Sequence, residues 1–209
     1  MEGVLPPDLV EKRVSILRKL PSWSQLVFWP KDVINMCSTL PGELGTQARQ
    51  VLQMPCVRWN WVCLCDLARM VALYVCGGLY LDFDVTVVGT AVQFEKLRAS
   101  SFIATVGGAE NVATDILGCC ARDARMLQVI HRQVANLLSV KSIPLYPCSH
   151  VSKLTGPAMM SELVPSLHIR PEPLASRFQK VASSGKCNAL VTKIAVLKQK
   201  TQTPKHTEN

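Results

Sequence analysis

The stretch that most constrains this chain is GGLYLDFDVTVV, from Gly77 to Val88. A glycine pair is followed by an apolar run that contains two aspartates, Asp82 and Asp84, one residue apart. Burial of a carboxylate costs several kcal/mol unless the group is paired or binds a metal ion. The fold must therefore give both aspartates a solvated face, a positive partner or a bound cation.

A helical pattern precedes the glycines, from about Asn60 to Cys76. Its apolar residues recur at the spacing of one broad helix face, namely Leu64, Leu67, Ala68, Val71, Ala72 and Val75. We expect Gly77 and Gly78 to end this helix and a strand from Leu79 to Val85 to follow.

The other predicted elements also alternate between helix and strand. Asp8 can cap a first helix, the segment QLVFW predicts a strand that stops at Pro30, and SFIATV predicts another. A small helix with irregular loops is expected over residues 31–55, and a longer helix from about Asp123 to Leu138. This alternation predicts an α/β sandwich. We expect one domain over residues 1–197 and a disordered polar tail over residues 198–209.

Composition and charge agree with a folded chain that has an anionic partner. Hydrophobic residues make up 48% of the chain and charged residues 18%, which argues against disorder over most of its length. The net charge of +8 favours an anionic partner, and both a nucleic acid and a phosphorylated small molecule satisfy that charge. No segment resembles a signal peptide or a membrane span. The nine cysteines lack zinc-site spacing, so we expect buried free thiols.

Strand geometry places the two aspartates side by side. Successive side chains alternate between the faces of a strand, so Tyr80, Asp82 and Asp84 are expected to share one face. Two carboxylates near the end of a strand can hold Mn²⁺ or Mg²⁺ and leave coordination positions for phosphate oxygens. The alternative is a solvated strand face, which explains the alternation but leaves the glycine pair and the apolar surroundings unexplained.

A second pair of charged residues lies upstream, in the segment DLARM. Asp66 and Arg69 are three residues apart, which places them on neighbouring positions of one helix face. They form either a structural ion pair or a carboxylate and guanidinium that hydrogen-bond a polar ligand such as a sugar. Because the helix leads through the glycines into the aspartate strand, we expect both pairs to border one cleft.

The segment DLARMVALYVCGGLYLDFDV, from Asp66 to Val85, resembles the signature of the glycosyltransferases with a DXD sugar-binding region. In that family a D-x-x-R helix precedes GG-x-Y-x-D-x-D; its members include α-mannosyltransferases, α-1,4-galactosyltransferases and the glucosylating clostridial toxins. PSWSQLVFWPKDV, AENVATDILGCCARDARML and LTGPAMM are similar to weaker family segments. The usual I-P-K-x-I-H opening is not found, which indicates a truncated N-terminus or a diverged first strand.

The resemblance implies a GT-A type fold with a mixed central sheet flanked by helices. It implies transfer of a hexose from a UDP- or GDP-sugar to a glycan, glycolipid or protein acceptor, with retention of anomeric configuration and no nucleic acid partner. Asp82 and Asp84 would be the catalytic residues and the ligands of Mn²⁺ or Mg²⁺. The implied donor-binding residues are Asp66, Arg69, Gly77, Gly78, Tyr80 and Asn111. Family members work in the Golgi lumen or the cytosol, so localisation stays open.

Three residues have two interpretations at this stage. Asn111, Thr155 and Gly156 are either turn residues or contacts of the donor or acceptor. The sequence does not decide between these roles.

Two other functions compete with sugar transfer. LYLDFDVTVV also resembles the D-x-D-x-T motif of haloacid dehalogenase-like phosphatases, in which Asp82 would be a nucleophile and Asp84 a general acid beside Mg²⁺. That interpretation leaves Asp66 and Arg69 unexplained, and no acidic pair of the required kind follows Thr86. The third interpretation is a catalytically inactive transferase-like protein, motivated by the missing opening segment.

Overall fold

The computed structural model describes residues 7–19, 23–28, 30–82, 85–87, 102–106, 112–140, 148–167, 178–180 and 194–199. Its helices are α1 (Pro7–Lys19), α2 (Pro30–Cys37), α3 (Leu44–Gln53), α4 (Pro55–Trp59), α5 (Trp61–Cys76), α6 (Ala124–Ser139), α7 (Cys148–Leu154) and α8 (Pro157–Leu163). Its strands are β1 (Trp23–Phe28), β2 (Gly78–Leu81), β3 (Val85–Val87), β4 (Phe102–Val106), β5 (Val112–Cys119), β6 (Phe178–Lys180) and β7 (Ile194–Gln199). The α/β class predicted from the sequence is thereby confirmed.

Five of the described strands form one sheet in the order β1-β7-β2-β5-β4, and β3 pairs with β6 in a second sheet. Every pairing among these strands is antiparallel, which differs from the mixed sheet that we expected. The connection at Gly77 explains why the neighbouring strands β2 and β5 are antiparallel. Gly77 lies against Ala121, so β2 begins where β5 ends and the two strands run in opposite directions.

Helix α5 is the centre of the hydrophobic core. It packs against β2, β5 and β7 of the sheet and against α2 and α6. The sequence predicted one apolar face, but Met70 and Leu73 are also fully buried, because neighbours surround the helix. Asn60 caps its first turn, where the Asn60 Oδ1 accepts a hydrogen bond from the main-chain N–H of Cys63 at 3.2 Å. The largest fully buried side chains are Leu67, Met70, Leu73, Leu79, Leu117, Met126, Ile130, Leu137 and Met159.

The glycine pair ends α5 as predicted. Gly77 and Gly78 have φ angles of +64° and +108°, a region that other residues rarely adopt. A Cβ atom on Gly77 would lie 2.5 Å from the main-chain nitrogen of Ala121, so this position also lacks room for a side chain. The close approach lets the N–H of Arg122 bond the carbonyl of Tyr74 at 2.7 Å and directs the chain straight into β2.

The predicted continuous strand from Leu79 to Val85 is wrong in its extent. Strand β2 ends at Leu81, and β3 begins at Val85 in the other sheet. The physical reason is that the carbonyl of Asp82 accepts a hydrogen bond from the N–H of Val85 at 3.0 Å, which brings these two residues closer together than a continuous strand allows. Asp82 therefore lies at the very end of β2, while Asp84 lies outside the described residues.

Other elements divide into those that were predicted and those that were not. Helices α1 and α6 and strands β1 and β4 are confirmed close to their predicted ranges. Residues 31–55 contain two substantial helices, α2 and α3, rather than one small helix. Strand β5 was not predicted, because its last four residues are all buried and only its first four alternate in burial.

The last described strand lies at the boundary expected between the domain and its polar tail. Strand β7 was not predicted and reaches Gln199, two residues into the expected disordered tail. Residues 200–209 lie outside the described ranges, so their predicted disorder stays a prediction. Within the part of the chain that the structure describes, no helix is both long enough and apolar enough to cross a membrane.

Substitution of Gly77 by alanine should destabilise the protein by about 3 kcal/mol, since it combines a left-handed backbone with a steric clash. Gly42→Ala is the matched control, because Gly42 has a φ of +57° but no atom within 4 Å of an added Cβ. We expect the control to cost about 1 kcal/mol in urea unfolding. Equal losses in the two variants would show that the contact with Ala121 is unimportant.

Candidate functional site

A buried guanidinium lies at the centre of the candidate site. Arg69, on α5, is 6% exposed, and its Nη2 lies 3.0 Å from Asp66 Oδ1. Its Nη1 lies 3.2 Å from Asp82 Oδ1 and donates to the main-chain carbonyl of Thr114 at 2.6 Å. One side chain therefore joins helix α5 to the end of β2 and to the middle of β5.

Tyr80 completes the side of this network that faces β2. The Arg69 Cζ lies 4.6 Å from the centroid of the Tyr80 ring, within the range of a cation–π contact. The Tyr80 hydroxyl donates to Asp82 Oδ1 at 2.5 Å, which agrees with the prediction that both side chains lie on one face. Burial raises the pKa of Tyr80 well above its ordinary value of 10.0, so the hydroxyl stays protonated and acts as a donor.

Asp66 is held through both of its carboxylate oxygens. Oδ1 pairs with Arg69, and Oδ2 accepts a hydrogen bond from the Thr155 hydroxyl at 2.8 Å. Burial raises the pKa of Asp66 from 3.8 to about 6, against the opposing effects of Arg69 and of the Thr155 hydrogen bond. At pH 7 the group is therefore mostly ionised, although only 3% of its surface is exposed.

The Thr114 carbonyl is available to Arg69 because the pairing of β4 with β5 is irregular. Ala104 is paired with Leu117, but the next residue of β4 is paired with Ala113. The residues of β5 between these two pairs, Thr114 among them, form a bulge, a feature that is common beside functional sites. No residue type in the sequence marks a main-chain carbonyl as an acceptor, so this contact was not predicted.

Asp82 is the member of the network most open to solvent, with 31% of its side chain exposed. Its carboxylate is therefore the part of the network that solvent reaches most easily. Within the described ranges, no three His, Cys, Asp or Glu side chains are grouped closely enough to form a complete metal site. Asp84 lies outside those ranges.

The structure thus brings four predicted site residues into one network: Asp66, Arg69, Tyr80 and Asp82. Gly77 and Gly78 lie in the turn that leads into β2, and no contact of theirs with this network is seen. Asn111 lies outside the described residues, so the roles of Asn111 and Asp84 stay predictions. Thr155 is both a turn residue and a contact of Asp66. The TGP sequence predicts the turn but gives no sign that Thr155 hydrogen-bonds Asp66.

Replacement of Arg69 by methionine should destabilise the protein by about 3–5 kcal/mol, since it leaves two carboxylates without their buried cation. The matched control is Arg132→Met. Arg132 pairs with Glu162 at 3.6 Å, and both side chains are more than half exposed. The control should change the free energy of unfolding by less than about 1 kcal/mol in the same urea titration. Similar losses in both variants would show that the Arg69 network does not stabilise the fold.

The raised pKa of Asp66 predicts a specific pH dependence of stability. Between about pH 4 and pH 6 the folded protein holds a proton on Asp66 that the unfolded chain has released. The stability contributed by this group is therefore complete below about pH 4 and falls as the pH rises to about 6. The free energy of unfolding of the wild type, minus that of Asp66→Asn, should decrease across this interval and become constant above it. A difference that increases with pH there would contradict the prediction.

Comparison with known proteins adds one finding. Residues 7–102, just under half of the chain, match the model of the family described as the glycosyltransferase sugar-binding region containing a DXD motif. No curated protein and no solved structure gives a significant match. The matched range contains Asp66, Arg69, Tyr80 and Asp82. The resemblance to the DXD glycosyltransferases is therefore confirmed for residues 7–102, the part of the chain that supplies these four residues of the network.

Proposed function

We propose that this chain is a metal-dependent glycosyltransferase with a GT-A type fold. It transfers a hexose from a UDP- or GDP-sugar to a glycan, glycolipid or protein acceptor, with retention of anomeric configuration. The observation that carries the proposal is the convergence of Asp66 and Arg69 with Tyr80 and Asp82, which are contributed by two successive elements. The family match over residues 7–102 supports sugar transfer as the chemistry of this network.

Asp82 is the group that meets the ligand in this proposal. Arg69 and Tyr80 both bind its Oδ1, so the carboxylate has a fixed direction while nearly a third of the side chain stays exposed. A Mn²⁺ or Mg²⁺ ion that binds a diphosphate commonly uses one or two protein carboxylates, and the partly exposed carboxylate of Asp82 supplies oxygen ligands of the kind that such an ion prefers. Asp82 and Asp84 would hold the ion, which would supply Lewis-acid stabilisation of the departing nucleoside diphosphate.

Asp66 and Arg69 hold the donor sugar in this proposal. Their exposed fractions of 3% and 6% restrict a sugar to one edge of each group. Because protein contacts already fix both side chains, a hydroxyl of the donor would bind a preorganised ion pair rather than two mobile side chains. Tyr80 would line the same side of the cleft, Gly77 and Gly78 would act by directing the chain into β2, and Asn111 would contribute a further donor contact.

The proposal predicts Mn²⁺-dependent binding and slow hydrolysis of at least one UDP- or GDP-hexose. Asp82→Asn preserves the size of the side chain but removes its charge, and should lower the rate of hydrolysis by about 10²-fold or more. Asp84→Ala should have a similar effect. Glu43→Gln serves as the control, because Glu43 is an exposed acid that makes no contact with the network. Hydrolysis is measured by release of UDP or GDP across a panel of donors.

The same panel separates the competing functions. Absence of Mn²⁺-dependent nucleotide or nucleotide-sugar binding by the wild type would overturn the transferase proposal and favour an inactive protein. Release of phosphate from phosphomonoesters, lost in Asp82→Asn but retained in Glu43→Gln, would instead favour the phosphatase chemistry.

A further inference from the structure

Helix α6 holds the turn between α7 and α8 through two side-chain hydrogen bonds. The side-chain amide of Asn136 donates to the carbonyl of Leu154 at 2.9 Å, and Gln133 Nε2 donates to the carbonyl of Thr155 at 2.8 Å. Gln133 and Asn136 are three residues apart, so one face of α6 supplies both donors. Two consecutive carbonyls of the turn are thereby fixed.

The turn presents one hydroxyl to the candidate site. Thr155 is completely buried, and its hydroxyl has a single proton to donate. Asp66 Oδ2, at 2.8 Å, is both closer and more strongly charged than the carbonyl of Val151 at 3.4 Å, and it is charged where the nearby Cys63 thiol is neutral. The proton therefore belongs to the bond with Asp66.

The backbone of the turn also approaches the same carboxylate oxygen. A Cβ on Gly156 would lie 3.5 Å from Asp66 Oδ2 and 3.1 Å from the Cα of Ser152. Little space is left on this side of Asp66, so the turn and the carboxylate fit each other closely.

These contacts determine how Asp66 can rotate. Arg69 binds Oδ1 and Thr155 binds Oδ2, so rotation of the carboxylate about its Cβ–Cγ bond would break a buried hydrogen bond or ion pair. Without the hydroxyl, Arg69 alone would hold one oxygen and the other would lose its donor in a site with almost no solvent.

We propose that Thr155 is a positioning residue, which fixes the Asp66 carboxylate in the orientation that the donor sugar meets, and that Gln133 places Thr155. This inference rests on the proposed sugar-binding role of Asp66. Thr155 itself acts through Asp66 rather than on the substrate.

Gln133 supports the inference because burial of its amide oxygen costs free energy at this position. It is fully buried, and among the described residues no donor reaches its Oε1. An apolar side chain of similar size would avoid this cost but could not hold the Thr155 carbonyl. Placement of the turn is the contribution that distinguishes glutamine from leucine at this position.

Three variants test the inference: Thr155→Val, which removes the hydroxyl at constant shape, Thr155→Ser, which keeps it, and Thr39→Val as the control. The Thr39 hydroxyl is exposed and donates to the main-chain carbonyl of Met36 at 2.8 Å, so its removal deletes a hydrogen bond that does not involve Asp66. The first measurement is the titration of the Asp66 carboxyl by ¹³C NMR, assigned with Asp66→Asn. The groups that surround Asp66 and enter this titration are Cys63, Cys65, Arg69, Asp82 and Thr155.

Loss of the Thr155 hydrogen bond should make Asp66 bind its proton about tenfold more tightly, because that bond favours the ionised form. Thr155→Ser and Thr39→Val should titrate like the wild type. An unchanged titration in folded Thr155→Val would overturn the inference, whether or not the protein transfers sugar. If Thr155→Val does not fold, Gln133→Leu replaces it. This variant retains the hydroxyl, so the expected effect is smaller but has the same sign.

The second measurement is binding of UDP and GDP with Mn²⁺, and of the corresponding UDP- and GDP-hexoses, by calorimetry. Thr155→Val should weaken binding of the nucleotide-sugar about tenfold and leave that of the nucleotide unchanged, since Asp66 would contact only the sugar. Equal weakening of both ligands would overturn the positioning role. Absence of any nucleotide binding by the wild type would overturn the proposed function, and the carboxyl titration would still decide the role of Thr155.

Discussion

The structure depends on the charge of one guanidinium that is almost completely removed from water. A buried arginine is tolerated only when each side of the planar group meets an acceptor, and Arg69 has Asp66, Asp82 and the Thr114 carbonyl around it. Those three partners belong to a helix, the end of one strand and the bulge of another. The relative placement of α5, β2 and β5 is therefore fixed by an electrostatic requirement in addition to the packing of the apolar core.

The two carboxylates of this network have different environments. Asp66 is enclosed, with a protein donor on each oxygen and a pKa raised to about 6 by burial. Asp82 shares one oxygen between Tyr80 and Arg69 and is open to solvent over 31% of its side chain. A single arginine thus supports one carboxylate that belongs to the interior and one that is partly exposed to solvent. This division suits a site in which a cation and a sugar are held by different groups.

Local geometry explains which parts of the site could be predicted from the sequence. Asp66 and Arg69 are adjacent because of helix spacing, and Tyr80 and Asp82 are adjacent because of strand alternation. The glycine pair ends α5 because its backbone angles exclude other residues. The bulge at Thr114 and the position of β7 could not be predicted, since both depend on hydrogen bonds between separate strands. Thr155 could be predicted only in part. The sequence indicates its turn, but its partner, Asp66, is 89 residues away.

The position of β7 determines the order in which the sheet can form. β7 lies between β1 and β2 and pairs with both, although it is the last described strand along the chain. During synthesis on the ribosome, β1 and β2 emerge long before the strand that separates them, and neither can acquire that neighbour until residues 194–199 have been translated. Pairings of such long range are slow to form and leave strand edges exposed in the interval. The nascent chain therefore has to keep the edges of β1 and β2 from pairing with other strands until β7 can be inserted between them.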